Sequence, residues 1–220
     1  MKKYLIFLVL ILSHFSTHAE GVKLSCNPEE PACIFCPEYQ TLFPIDSFSA
    51  ESGVLDIEAD ESEILSNQNY MLTGDVKIKS DEFILAADNI EVNAATENTI
   101  ATGNVQFQDN SFIIAGDKLI ANRDDDKKLT AQVTNANYQD FGSGLNGANG
   151  TSEFLEKKLN NVTMRNATYS LCPINQNDWL IDAKQIDLNL DKNRGIAKHA
   201  KIKFFGVPLF YLPKYSWVLS

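Results

Sequence analysis

Apolar and polar residues alternate along the middle of the chain, and the alternation itself repeats. Residues 83–92 (FILAADNIEV) return 29 positions later as residues 112–121 (FIIAGDKLIA). Residues 73–78 (TGDVKI) return at the same interval as residues 102–107 (TGNVQF), and fainter copies extend in both directions. Self-similarity at a period of 20 to 50 residues indicates stacked units, none of which can bury its apolar face alone.

The period inside one unit predicts its secondary structure. Every second residue is apolar up to Ala87, and the alternation resumes on the opposite parity at Ile90. Period two predicts β-strands with one apolar face. Because the parity changes, a bend or bulge at residues 88–89 would return both apolar sets to one side. The same change occurs between Gly116 and Leu119, so the pattern predicts a stack of bent strands.

Small and acidic residues stand at the predicted bends. Asp88 and Asp117 each follow a small residue, and an Asp at a corner can accept hydrogen bonds from backbone amides that the bend releases. Gly74 and Gly103 are predicted to mark turns that open the next strand.

The first 19 residues predict a secretory signal peptide. Lys2 and Lys3 precede an apolar run at residues 4–12, and residues 17–19 (THA) fit a cleavage site. The rest of the chain then holds 17 basic and 29 acidic residues, a net charge of −12. A chain this acidic offers no basic face for nucleic acid. His199 is its one remaining histidine, and we interpret it as a solvated strand residue.

The four cysteines predict disulfide bonds. Cys26, Cys33 and Cys36 lie in a proline-containing arm, residues 20–52, and Cys172 stands far downstream. Cys33 and Cys36 form a C-x-x-C pair, but the strand-to-helix context of a redox motif is missing, and zinc would need a second ligand pair. In an exported protein four cysteines favour disulfides, and three pairings stay open.

Two loops look like ligand motifs but lack the required context. Residues 124–128 (DDDKK) carry carboxylates without the spacing of an EF-hand, and residues 142–150 hold four glycines with no strand-to-helix unit after them. We therefore predict no metal and no cofactor.

The chain ends in an aromatic segment, residues 204–220. Pro208 and Pro213 exclude a membrane helix there, and six aromatic residues are many for the last strand of a soluble sheet. The segment is either a capping strand or the entry into a following domain, and we favour the second. The predicted organisation is a signal peptide (1–19), an arm (20–52), a β-domain (53–203) and this segment.

Several of these motifs resemble one known family. The A-D and G-N-V elements (Ala87-Asp88, Gly103-Asn104-Val105) are similar to those of the LptA/OstA-like group. The run YSLCP at residues 169–173, Trp179 downstream and GVPLFYLP at residues 206–213 resemble the N-terminal periplasmic domains of LptD-type lipopolysaccharide-assembly proteins. The resemblance covers essentially all of the chain after the signal peptide.

The resemblance implies a fold, a location and partners. The fold would be an all-β, V-shaped antiparallel β-jellyroll, which alternation alone does not distinguish from a parallel β-helix. The domain would belong to a periplasmic bridge that passes lipopolysaccharide to an outer-membrane barrel and its plug lipoprotein LptE. Family members extend into that barrel, and this chain stops where it would begin. Cys172 matches the second cysteine of the family domain, and Cys26 best matches the first.

The alternating apolar face then predicts a groove for the acyl chains of lipid A. Burial of each methylene gives about 0.8 kcal/mol, so a lipid could be held without any contact to its headgroup, which the acidic surface would repel. The alternative is that the same residues fill a closed core. The predicted groove residues are Val76, Ile78, Phe83, Leu85, Ile90, Val92, Val105, Phe107, Phe112, Ile114 and Leu119.

Strand edges and two rival functions complete the prediction. The rung at residues 55–64 would accept an LptA-like jellyroll by edge-strand addition, and the C-terminal end would face the barrel.

One rival function is that of a structural or adhesive repeat protein without lipid. The other is a polysaccharide-active enzyme using Asp60, Asp88 and Asp117, but these carboxylates recur with the repeat, which favours a role at the bends. We predict that the chain is not an enzyme.

Overall fold

The computed structural model describes residues 41–48, 52–66, 68–123, 128–140, 148–174 and 178–219. These residues contain β-strands and no helix, which confirms the all-β prediction. The strands are β1 (Asp56–Glu58), β2 (Glu61–Ser66), β3 (Asn69–Lys79), β4 (Phe83–Asn93), β5 (Asn98–Asp109), β6 (Phe112–Arg123), β7 (Leu129–Asp140), β8 (Ala148–Lys158), β9 (Asn161–Tyr169), β10 (Trp179–Asn189), β11 (Arg194–Phe204) and β12 (Val207–Val218).

The strands form one antiparallel sheet in which spatial order follows chain order. From β4 to β11, each strand pairs with the strand before it and the strand after it. Both β1 and β2 pair with β3, at its opposite ends, so together they make one interrupted rung at the edge. Antiparallel pairing rules out a parallel β-helix.

Every second strand from β3 to β11 bends near its middle at a residue in the left-handed region. The residues are Asp75, Asn104, Asn135, Asn166 and His199, with φ between 39° and 52°. The register between β4 and β5 shifts between Ala86 and Asn89, as the change of parity predicted. Leu85 and Ile90 consequently face the same buried side.

Gly74 and Gly103 do not open strands, so that prediction was wrong. They lie in the middle of β3 and β5 with φ of 79° and 76°. A bulge inside a strand and a tight turn both require a left-handed residue, so a single glycine does not distinguish them.

One face of the sheet is buried and the other is largely exposed. A single sheet can bury one face only where its two halves fold onto each other across the bends. The buried side chains form one cluster that runs from Leu72 in β3 to Leu219 after β12. This arrangement confirms the predicted V-shaped antiparallel jellyroll, and we call the space between the halves the interior.

Residues 42–48, which we call the outer strap, cross the outer face of the sheet. The Leu42 amide donates to Gln139 Oε1 on β7 at 3.1 Å. The Asp46 amide donates to Gln108 Oε1 on β5 at 2.9 Å, and Gln108 Nε2 donates back to the Asp46 carbonyl at 2.7 Å. The Asp46 carboxylate pairs with Lys77 on β3. The strap therefore ties three strands together from outside.

Candidate lipid-binding interior

All eleven residues of the predicted groove face the interior. Nine are buried, with at most 4% of each exposed, and Phe83 and Val92 are half-buried near strand ends. All eleven belong to the one core cluster or pack against it. Side chains of the protein therefore fill the middle of the interior in this conformation, and lipid contact stays a prediction.

Partly buried residues line the strand ends, where the two halves meet the solvent. Phe83 stacks on Phe107 with 6.1 Å between ring centroids and 19° between ring planes. Other partly buried residues against the core at or just beyond strand ends are Val92, Ala121, Leu129, Leu171, Trp179 and Leu190. We call this line of residues the seam.

Apolar side chains of the interior face are exposed at both ends of the stack. Directly opposed residues of antiparallel strands share a face. Ile57 of β1 is opposite the buried Ile78 and is 51% exposed. At the other end, Phe210 of β12 is opposite Ile202 and is 63% exposed. The apolar lining thus continues from the buried middle to exposed side chains at each edge strand.

An aromatic block near β12 is part of the interior that the sequence analysis missed. Tyr138 follows the interior register, since it pairs with Ile114, and its hydroxyl donates to the Thr168 carbonyl at 2.7 Å. The Tyr169 ring lies 4.9 Å from that of Trp217. Within the described residues, neither the Tyr169 hydroxyl nor the Trp217 indole nitrogen has a hydrogen-bond partner.

Burial changes the acidity of both tyrosines in this block. It raises the pKa of the Tyr169 hydroxyl to about 12, although the nearby Trp217 indole opposes part of the rise. It raises the pKa of the Tyr138 hydroxyl well above its ordinary value. In both cases the phenolate would lose its hydration. The nearby buried Asp140 carboxylate raises both pKa values further, so both hydroxyls are neutral at physiological pH.

Carboxylate and amide side chains pair across the bends on the outside of the sheet. The pairs are Asp88 with Asn104 (3.1 Å), Asp117 with Asn135 (2.7 Å) and Glu153 with Asn166 (2.7 Å). The predicted bend positions of Asp88 and Asp117 agree with the structure, but the donors are side-chain amides, whereas we predicted backbone amides. The pairs recur with the strands, as groups that stabilise the bends would.

Cys172 is disulfide-bonded and buried, beside β9. Cys26, Cys33 and Cys36 lie outside the described residues, as do the signal peptide and most of the two loops at 124–128 and 142–150. Across the described ranges, no group of three His, Cys, Asp or Glu side chains is placed to hold a metal ion. Those ranges also contain no apolar helix of membrane-spanning length.

Comparison with known proteins identifies the family. The sequence profile described as LptA/(LptD N-terminal domain) LPS transport protein matches residues 85–194, which is half of the chain. The chain belongs to this family. The resemblance carried by the A-D and G-N-V elements is therefore confirmed.

Several curated LptD proteins are similar to this chain. LPS-assembly protein LptD of Nitrosomonas eutropha is 30% identical over 183 residues, which are 79% of this chain and 23% of that protein. LptD of Shewanella oneidensis is 29% identical over 198 residues, which are 87% of this chain and 25% of that protein. The chain thus spans about a quarter of the length of the curated relatives it matches.

One solved structure also matches this chain. LptH, the LptA-homologous periplasmic component of the lipopolysaccharide transport device of Pseudomonas aeruginosa, is 12% identical, with a TM-score of 0.26. The match covers 62% of this chain and 76% of LptH.

Proposed function

We propose that this LptD-type domain transports lipopolysaccharide in the periplasm, holding the acyl chains of lipid A in its interior and passing them to an outer-membrane barrel. One observation carries the proposal: the apolar lining is continuous along the stack and exposed at both ends. Membership of a family of LPS transport proteins supports it. The proposal contains no chemical step.

Acyl chains could enter only if the two halves separate, because nine lining residues are buried against each other. Separation would begin at the seam, where Phe83 and Val92 are already half-exposed. Each methylene moved from water into the interior contributes about 0.8 kcal/mol, so several partly buried chains would offset the lost contacts between the halves. The phosphorylated headgroup would stay in water.

The two edge strands are the proposed contacts with partners. Edge strands present unpaired backbone groups to which another strand can add. The interrupted rung β1–β2 would accept an LptA-like jellyroll, and β12 would face the barrel and its plug lipoprotein LptE. Each junction would bring two apolar interiors into line, because Ile57 and Phe210 are exposed at the two ends.

Photocrosslinking from the two faces of the sheet tests the proposal. A benzoylphenylalanine at Phe83 or Phe107 points into the interior, whereas one at Ile120 points outward and is the matched control. In cells that make lipopolysaccharide, we expect crosslinks from Phe83 and Phe107 and none from Ile120. Absence of interior crosslinks, or equal crosslinking from both faces, would contradict lipid carriage.

A structural module without cargo is the second candidate, and the burial of nine groove residues favours it. A solid core predicts that hydrogen exchange of the interior strands is unchanged when lipopolysaccharide is added. A carrier predicts that added lipopolysaccharide changes hydrogen exchange at the seam, near Phe83 and Val92. Exchange on the outer strap should stay the same.

A further inference from the structure

The last bend of the sheet departs from the pattern of the other bends. In three earlier strand pairs, a carboxylate on one strand accepts a hydrogen bond from an Asn on the next. In the pair β10–β11 the equivalent positions are held by Lys184 and His199. Two nitrogen-bearing side chains therefore stand where a carboxylate and an amide stand elsewhere, and the carboxylate is missing.

These two residues line a cavity on the outside of the bend. It has a volume of about 230 Å³, and its lining also includes Lys201 and the Tyr211 hydroxyl. The His199 ring nitrogen Nδ1 is 2.8 Å from the Tyr211 oxygen, so the ring is held in place by β12. Nothing among the described residues forms an ion pair or hydrogen bond with Lys184 or Lys201.

The one carboxylate in the lining belongs to Asp182, which is opposite Lys201 in the β10–β11 pair but forms no ion pair with it. Asp182 pairs with Lys203, with 2.5 Å between the carboxylate oxygen and Nζ. The nearby Glu153 already accepts a hydrogen bond from Asn166, which lies between it and the cavity. The surroundings are also basic: residues 161–220 carry eight Lys and Arg against four Asp, in a chain whose net charge is −10.

We propose that Lys184, His199 and Lys201 bind a phosphate monoester group in this cavity. Two ammonium groups and a ring nitrogen offer several donors from different directions, and a phosphate offers three acceptor oxygens and up to two negative charges. The phosphate could belong to a lipid headgroup or to a small soluble compound. The site lies outside the interior, so it is separate from the proposed acyl-chain path.

The test uses the exported chain without a histidine tag, because His199 is then its single histidine. Its ring proton NMR signals report on the cavity directly. Inorganic phosphate, titrated at constant pH and about 150 mM NaCl, should shift these signals saturably, with a dissociation constant of about 1 mM. Sodium chloride at matched ionic strength should not reproduce the shift.

Variants distinguish a built site from general attraction to charge. The double variant K184Q/K201Q should weaken phosphate binding at least tenfold. K184D restores the carboxylate found at the other bends, so it should abolish binding and keep the fold. Lys118, an exposed lysine at the bend of β6, is the matched control, and K118Q should bind as the parent does. Unfolding curves of all variants check that each is folded.

Phosphatidylcholine vesicles with and without 20% phosphatidic acid separate the two sources of phosphate. Binding of the vesicles that is lost in K184Q/K201Q assigns the site to a lipid headgroup. A saturable shift with inorganic phosphate, without vesicle binding, assigns it to a soluble phosphate compound. No saturable shift, or an equal shift in K184D, would overturn the proposal and would leave the interior crosslinking result unaffected.

Discussion

Two tyrosines on the interior face differ in how their hydroxyls are satisfied. Tyr138 donates to a backbone carbonyl at 2.7 Å, and Tyr169 has no partner among the described residues. A buried polar group without a partner costs stability, whereas a made hydrogen bond contributes about 1 kcal/mol. The same chemical change at the two positions should therefore have opposite effects.

We expect Tyr138→Phe to lower the free energy of unfolding by about 1 kcal/mol, because it removes a buried hydrogen bond. Tyr169→Phe should leave it unchanged or raise it by about 1 kcal/mol, because it removes an unsatisfied hydroxyl. Urea unfolding of both variants measures the difference. Equal destabilisation would contradict the difference between the two hydroxyls.

The same burial predicts a loss of stability in alkali. The pKa of Tyr169 is higher in the folded chain, about 12, than its ordinary value of 10. Because the pKa is raised on folding, the neutral hydroxyl contributes its full share of the free energy of unfolding below pH 10. This contribution, about 2 to 3 kcal/mol in total, is lost as pH rises towards 12. Urea unfolding between pH 8 and 11 should show a shallower decline in Tyr169→Phe than in the parent; identical slopes would contradict the assignment.

Single residues show where sequence reasoning succeeds and where it stops. The bend position of Asp88 follows from the change in parity around it. Its partner does not, because Asn104 lies on the next strand and reaches Asp88 only through the register of the β4–β5 pair. His199 looked like a solvated strand residue; it is exposed but lies at the bend with a φ of 52°.

At the scale of strands, glycine at a bend is required for two separate reasons, and a glycine in the turn between β11 and β12 separates them. Gly103 and Gly206 have nearly equal φ, 76° and 77°, so any other residue is strained at both. A Cβ on Gly103 would also overlap the Asp88 carboxylate, whereas nothing lies within 4 Å of one on Gly206.

We therefore expect Gly206→Ala to lower the free energy of unfolding by about 1 kcal/mol. Gly103→Ala should lower it by about 1 kcal/mol more than Gly206→Ala does. Most of the excess should disappear when Asp88→Ala is added, since the carboxylate is then gone and only the Cβ of residue 88 remains close, at 2.9 Å. Thermal unfolding of the three variants measures this coupling. An unchanged excess in the double variant would show that the Asp88 carboxylate is not its cause.

A buried glutamine side chain anchors the Asp46 end of the outer strap. Gln108 is 4% exposed and makes two hydrogen bonds to the backbone of Asp46. Gln108→Ala should release this end of the strap, and hydrogen exchange at the Asp46 amide should rise at least tenfold, while the Leu42 amide, which Gln139 holds, should change less. The neighbouring Gln106 makes no such bonds, so Gln106→Ala is the control and should leave exchange unchanged.

The ion pair in the strap adds a dependence on acid. Its bond to Lys77 lowers the pKa of the Asp46 carboxyl, so the contribution of this pair is present at neutral pH and is lost as pH falls through the lowered value. The contribution is small because both side chains are about one third exposed.

The sequence predicted an irregular arm, but no feature of the sequence marked Gln108 as its anchor, since outward polar residues usually face water.

At the scale of the whole molecule, the two edges of the sheet differ. One edge is the short, interrupted rung β1–β2, and the other is the twelve-residue strand β12, which contains Pro208 and Pro213. Proline cannot donate to a partner strand, so the edges offer different hydrogen-bond patterns.

Photoreactive residues at Ser62 in β2 and at Leu209 in β12 should consequently trap different proteins in cells. Mass spectrometry of the two sets of crosslinked products measures this. The same partner at both edges would contradict the polarity that we propose.

Sequence reasoning recovered the side of each strand that is buried, because alternation has a period of two. It could not decide between a groove and a filled core, since alternation gives the direction of a side chain and not the distance to the opposite half. The sequence therefore predicted which eleven residues face the interior, but it did not predict that nine of them are buried.

The backbone of each described strand lies close only to the strands beside it in the sheet. Side chains reach further, as the Tyr169 ring of β9 does to the Trp217 ring of β12. With about 4.8 Å between neighbouring strands, the eleven positions of the stack give a length of roughly 48 Å. An ancestral duplication of one strand pair would lengthen the domain by about 10 Å and keep the backbone pairing of the remaining strands. The length of such a domain can thus change in evolution in steps of one strand pair.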